Sequence, residues 1–104
     1  MTPQPKQDAL ERVKHILDVA LMLAEQHGYR SLSRDQVARV CGFPSSSLIT
    51  YHMGSMVEFR RKLMREAIRR ENLGVLAQGL AAQDQHARKA PAELKARALQ
   101  SLAA

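Results

Sequence analysis

Apolar residues recur at three- and four-residue intervals from about Gln7 onward. Leu10, Val13, Leu17, Ala20, Leu21 and Ala24 make one stripe of a first helix, which Gly28 ends with His27 in its last turn. Tyr29 to Leu32 reads as a short connection. Ser33 is then placed as an N-cap with Gln36 three residues on, the capping-box spacing. Val37, Ala38 and Cys41 form the core face of a short second helix that Gly42 closes, and Phe43-Pro44 makes a turn. One of Ser45, Ser46 and Ser47 caps a third helix, whose buried side is Leu48, Ile49 and Met53. Gly54 breaks the chain again, and Ser55 caps a longer fourth helix with Phe59, Leu63, Met64, Ala67 and Ile68 on one face.

On another face of that helix Glu58, Lys62, Glu66 and Arg70 alternate in sign at i,i+4 spacing, which predicts a row of ion pairs. Beyond Asn72 the pattern thins. Gly74 and Gly79 dilute it, although Leu73, Leu76 and Leu80 keep a stripe. Gln83 to Ala90 is polar and reads as a loop. Pro91 is placed as the first residue of a last helix, with Glu93 in its first turn and Leu94, Ala98, Leu99 and Leu102 as its apolar face. The expected fold is all-α, a small helical bundle with a helix-turn-helix and one or two extra C-terminal helices. Its expected parts are a flexible leader at 1–6, a helix-turn-helix domain at 7–71 and a short helical dimerisation element at 72–104.

Composition narrows the function. A chain of 104 residues, 45% hydrophobic and 25% charged, is ordinary for one globular domain. Sixteen Lys and Arg against ten Asp and Glu give a net charge of +6, which suits a polyanion: nucleic acid or an acidic membrane surface. The membrane surface is the weaker reading, since no bulky aromatic face opposes the basic residues. No apolar run approaches the ~20 residues of a membrane span, and Met1 to Gln7 lacks the apolar stretch of a signal peptide, so a soluble, cytoplasmic protein is expected. The single cysteine, Cys41, excludes an internal disulfide and reads as the filler of a small buried site. His15, His27, His52 and His86 are scattered without metal-ligand spacing. No nucleophile–His–acid arrangement, carboxylate pair or Gly-rich phosphate loop stands out. Neither an enzyme nor a cofactor is expected.

Two short helices joined by a tight, Gly-containing turn are the helix-turn-helix unit. Its physics asks for small residues where the helices cross, here Ala38 and Gly42, and for an apolar anchor on the second helix, here Ile49. It also asks for short polar side chains where the second helix enters a groove, which Ser45, Ser46, Ser47 and Thr50 supply. The serine cluster also has a plainer use as a helix cap, and the arginines of the fourth helix suit a solvated face.

Three segments carry a resemblance to a known family. Ile16-Leu-Asp-Val-Ala-Leu-Met-Leu-Ala-Glu-Gln-His-Gly-Tyr29 resembles the opening of the tetracycline-repressor (TetR) family. Leu32-Ser-Arg-Asp-Gln-Val-Ala-Arg-Val-Cys-Gly-Phe43 resembles its next segment, and Leu48-Ile-Thr-Tyr-His-Met-Gly-Ser55 its recognition helix and following turn. The resemblance spans about residues 10 to 65. It implies that Ser33 and Arg34 start a supporting helix and hold phosphates, that Ser45, Ser46, Ser47 and Thr50 face bases, and that Tyr51 and His52 clamp the DNA backbone. Arg60 and Arg61, in the first turns of the fourth helix, are added as residues approaching DNA, while Arg69 and Arg70 are placed too far away.

The chain departs from the family pattern in three places. One extra residue lies between Gly42 and the Tyr51-His52 pair, Met56 stands where a lysine is usual, and Asn72 to Ala104 is too little for the family's ligand-binding domain. The resemblance therefore implies a homodimeric, sequence-specific repressor on a palindromic double-stranded DNA operator, with no small-molecule inducer. Two other readings are a sequence-tolerant DNA-binding protein and a module that pairs with another regulator.

Overall fold

The computed structural model describes residues 5–103, with side chains from 8 to 102. Of the expected leader, residues 1–4 lie outside the described residues. Pro5 and Lys6 already belong to the first helix, where proline's missing N–H is no loss.

Among the described residues every regular element is helical: α1 Pro5–His27, a 3₁₀ turn Tyr29–Ser31, α2 Arg34–Cys41, α3 Ser47–Met53, α4 Met56–Arg69, α5 Leu73–Ala81, α6 Gln85–Arg88 and α7 Ala92–Ala103. The all-α expectation holds. The first four helices begin and end close to where their punctuation places them. Ser33 Oγ accepts from the Gln36 N–H at 3.1 Å, while Ser55 and Glu58 form a reciprocal capping box at the start of α4. Gly42, at φ 82°, takes the left-handed conformation that closes α2.

The C-terminal part differs from its reading. Three helices follow α4 instead of one or two, and the expected loop from Gln83 to Ala90 contains the single turn α6. The reason lies at two corners. Glu71 and Gln83 adopt left-handed φ of 54° and 59° without being glycine. The next residue in each case, Asn72 or Asp84, donates its N–H back to the helix just ended, to Ala67 O and Gly79 O respectively, both at 2.8 Å. The same residue then caps the next helix: Asn72 Oδ1 accepts from Val75 N–H, and Asp84 Oδ1 from His86 and Ala87 N–H. One helix stops and the next starts with no loop between them. Pro91 lies just outside α7, its carbonyl accepting from Lys95 N–H at 3.0 Å, so the last helix begins one residue later than expected.

One core runs through the whole chain. Phe59, Ile16, Ile49, Met53, Leu63, Met64 and Leu76 are fully enclosed, each contributing roughly 1.5–3 kcal/mol of burial. The stripe of α1 is rotated from its reading: Ile16, Val19 and Leu23 are buried with Ala20, Leu21 and Ala24, while Leu10 is exposed. Helix α5 is central, with Val75, Leu76, Ala77 and Gly79 buried and α1, α4, α6 and α7 packed around it. Gln78 stitches α5 to the end of α1, its Oε1 accepting from Tyr29 N–H at 2.7 Å and its Nε2 donating to Ala24 O at 2.8 Å. The expected 7–71 and 72–104 segments thus share one interior. Leu94 and Ala98 are buried on α5, whereas Leu99 and Leu102 remain exposed.

Candidate nucleic-acid interface

The side chains singled out in the sequence lie on α2, α3 and the first turns of α4. Helix α3 is held by its apolar side, with Ile49 and Met53 fully buried, so Ser47, Thr50 and Tyr51 face outward. Tyr51 is 80% exposed, the largest exposure among the bulky hydrophobic side chains described. The C-terminal end of α3 is fixed to α4 by Lys62, whose Nζ donates to the carbonyls of His52 and Met53 at 3.4 and 3.3 Å. A cation there also complements the negative end of the helix. This bond replaces part of the ion-pair row expected on α4, because Lys62 and Glu58 are both engaged elsewhere.

Helix α2 is tied to α3 by its first residue. Arg34 Nη1 donates to Thr50 Oγ1 at 3.1 Å, and Thr50 Oγ1 donates in turn to Ser46 O at 3.4 Å. The serine cluster divides its work. Ser46 occupies the N-cap position of α3 without a side-chain cap bond. Ser45 makes the local bonds, accepting from Ser47 N–H at 3.3 Å and donating to Ser47 Oγ at 3.1 Å. The preceding turn is held against α1 by His15, whose Nε2 lies 3.4 Å from Cys41 O and whose ring meets that of Phe43 edge-on at 6.3 Å.

The structure therefore brings several of the expected site residues together. Ser33, Arg34, Ser46 and Arg60 line one open groove of about 410 Å³, with Met56 on its wall. Met56 is half-buried and packs against the core. Ser45 and Ser47 are exposed beside this groove, and Arg61 is exposed on α4. His52 is set apart: it is half-buried, its ring meets Tyr51 edge-on at 5.0 Å, and its Nε2 is enclosed without a hydrogen-bond partner. Burial, and then the Arg12 guanidinium, hold its imidazole below the usual histidine pKa, so it is mainly neutral at pH 7.

Charge is distributed unevenly along α4. At its far end Arg69 and Arg70 both bind Glu66, Arg70 Nη1 also meets Asp18 at 2.6 Å, and beyond the helix Arg97 meets Glu71 at 2.7 Å. The Arg69 and Arg70 guanidiniums draw the Glu66 carboxyl down to a pKa of about 2. Among the described residues Arg34, Arg60 and Arg61 form no ion pair. The anchoring roles of Lys62 and Arg34 are not legible in the sequence, because each joins residues of two different helices. Cys41, expected to be buried, is only partly so, and that burial raises its thiol pKa. Among the described residues no helix is long and apolar enough to cross a membrane, and no three His, Cys, Asp or Glu side chains gather as a metal set would. Neither a protein-family model, nor a curated protein, nor a solved structure gives a significant match to the chain.

Proposed function

We propose that this chain is a cytoplasmic, DNA-binding transcriptional repressor of the tetracycline-repressor type, acting as a homodimer on a palindromic operator without enzymatic activity. One observation carries the reading. The face built from α2, α3 and the start of α4 presents hydroxyls and arginines that form no ion pair among the described residues, while Arg69, Arg70 and Arg97 are neutralised by carboxylates. Unspent cations with short hydroxyls on an outward helix are what phosphate and base-edge contacts need.

In this reading Thr50, Ser46, Ser45 and Ser47 meet bases, and Ser33, Arg34, Tyr51, Arg60 and Arg61 meet phosphates. His52 supports Tyr51 from behind. One short recognition helix reads few base pairs, so two copies are required, with half-sites about 34–36 Å apart or a multiple of that. Leu99 and Leu102, left exposed on α7, are the residues available to pair them. That same apolar face favours, as a second reading, a module that docks on another regulator.

Selection from randomised duplexes tests the proposal. Enrichment of a palindrome supports it. Binding without enrichment moves the chain to a sequence-tolerant class, and no duplex binding at low salt overturns the reading in favour of the docking module.

A further inference from the structure

A second groove, of about 430 Å³, opens where the 3₁₀ turn, α4 and the α5–α6 corner meet. Arg30, Arg60 and Arg61 line it with His86, and the one carboxylate in its wall is Asp84. Among the described residues none of these arginines forms an ion pair. Asp84 is already used, its Oδ1 accepting from His86 and Ala87 N–H at 2.9 and 3.0 Å. Arg60 is the unusual member. It is half-buried, and its Nε is enclosed without any hydrogen-bond partner. The Arg60 guanidinium thus lines the groove with hydrogen-bonding capacity that the fold does not use.

We infer that this groove binds a phosphate group, with Arg60 as its central donor and Arg30, Arg61 and His86 around it. Guanidinium forks match the geometry of phosphate oxygens, and three of them exceed what a single carboxylate can neutralise. The Tyr29 phenol, held above its usual pKa by burial and then by Asp84, stays neutral at the groove wall. The volume also lies within the ~300–1,000 Å³ of small-molecule sites. The groove lies where the C-terminal helices meet α4. Arg60 also lines the groove shared with Ser33, Arg34 and Ser46, so a phosphate here acts directly on the proposed DNA face. The phosphate has two sources, a free phosphorylated molecule or the backbone of a bound duplex.

The test follows the Nε–Hε resonance of Arg60, assigned by its loss in Arg60→Lys, during titration with pyrophosphate at ionic strength matched by sodium chloride. A saturating shift is expected, with affinity about tenfold weaker in the double variant Arg30→Gln/Arg61→Gln and unchanged in Arg97→Gln. Both arginines of the double variant are exposed, so its melting temperature should match that of the parent. A shift no larger than chloride produces, or equal affinity in the parent and the double variant, overturns the site. A duplex is then added to the pyrophosphate-bound protein. Displacement of pyrophosphate from Arg60 assigns the phosphate to DNA, and retention assigns it to a free ligand. A chain that binds pyrophosphate here but no duplex at all keeps this site and sinks the repressor reading.

Discussion

Arg34 and Thr50 face each other across the α2–α3 turn, with Nη1 donating to Oγ1 at 3.1 Å on an exposed surface. The bond fixes an exposed hydroxyl of α3, and it orients the guanidinium that stands beside it. Thr50→Ala should weaken duplex binding about tenfold or more, because a base or phosphate contact and its positioning partner are lost together. Stability should change by no more than ~0.5 kcal/mol, since the pair is solvated. Thr50→Ser should recover most of the binding. A thermal melt and a binding titration on the same samples decide it, and a large stability loss with unchanged affinity would move Thr50 out of the interface.

The uneven charge along α4 makes a paired prediction. Arg61→Gln should lower the slope of log affinity against log salt by roughly 0.9, the amount for one phosphate neutralised on a duplex. Arg69→Gln should leave that slope unchanged, because its guanidinium is spent on Glu66. Equal slopes in the two variants would place the duplex elsewhere.

Stability should fall in acid through Glu66. Its carboxyl is held at about 2 in the folded protein, below its value of 4.5 when unperturbed. The charged form is therefore favoured by folding, its contribution is complete above pH 4.5, and it is lost as pH falls from 4.5 toward 2. The loss should be on the order of 2 kcal/mol, less than the full shift implies because Arg69 is largely exposed. Urea unfolding between pH 6 and about 2.5 should show this slope in the parent and a shallower one in Glu66→Gln.

The two glycines of α5 should respond in opposite directions. A Cβ at Gly79 would stand 2.8 Å from Ala87 Cβ, a contact that cannot relax without moving α6. Gly79→Ala should cost about 1–3 kcal/mol by overpacking. Gly74 is exposed, and the nearest atom to its added Cβ is Asn72 Oδ1 at 3.7 Å. Gly74→Ala should stabilise by roughly 0.4–1 kcal/mol. Differential scanning calorimetry on both variants checks the pair.

The two faces of α7 separate folding from assembly. Leu94 is 7% exposed and Leu99 53% exposed. Leu94→Glu should unfold much of the C-terminal part, whereas Leu99→Glu/Leu102→Glu should keep its circular dichroism and yield a monomer with weakened operator binding. Light scattering on the second variant is the decisive measurement. A parent chain already monomeric, or a monomeric variant with full affinity, leaves the homodimer without support.

How far the sequence reaches depends on its punctuation. The first four helices were legible because Gly28, Gly42 and Gly54 stop them and Ser33 and Ser55 start them, each with its own recognisable chemistry. Of the later helices, α7 was legible from Pro91 to within one residue, whereas α5 showed only a thin stripe and α6 was hidden. The left-handed positions before α5 and α6 are filled by Glu71 and Gln83, and stop and start signals fall on the same residue, so the polar stretch looked like loop. The centrality of α5 was hidden by Gly79, which weakens a hydrophobic pattern while leaving room for Met64 and Ala87 beside its backbone. Within the candidate interface, outward positions on α3 followed from periodicity. The tether from Arg34 to Thr50, the Arg12 charge near His52 and the inward turn of the His52 ring depend on tertiary placement, which no local spacing encodes.

The corners at Asn72 and Asp84 have a mechanical consequence. With each residue bonded both to the helix behind and to the helix ahead, the chain from α4 through α6 contains no slack. These bonds oppose a free hinge at either corner. A displacement of α4 would be passed to α5 and α6 through these bonds, and Gln78 joins α5 in turn to the end of α1.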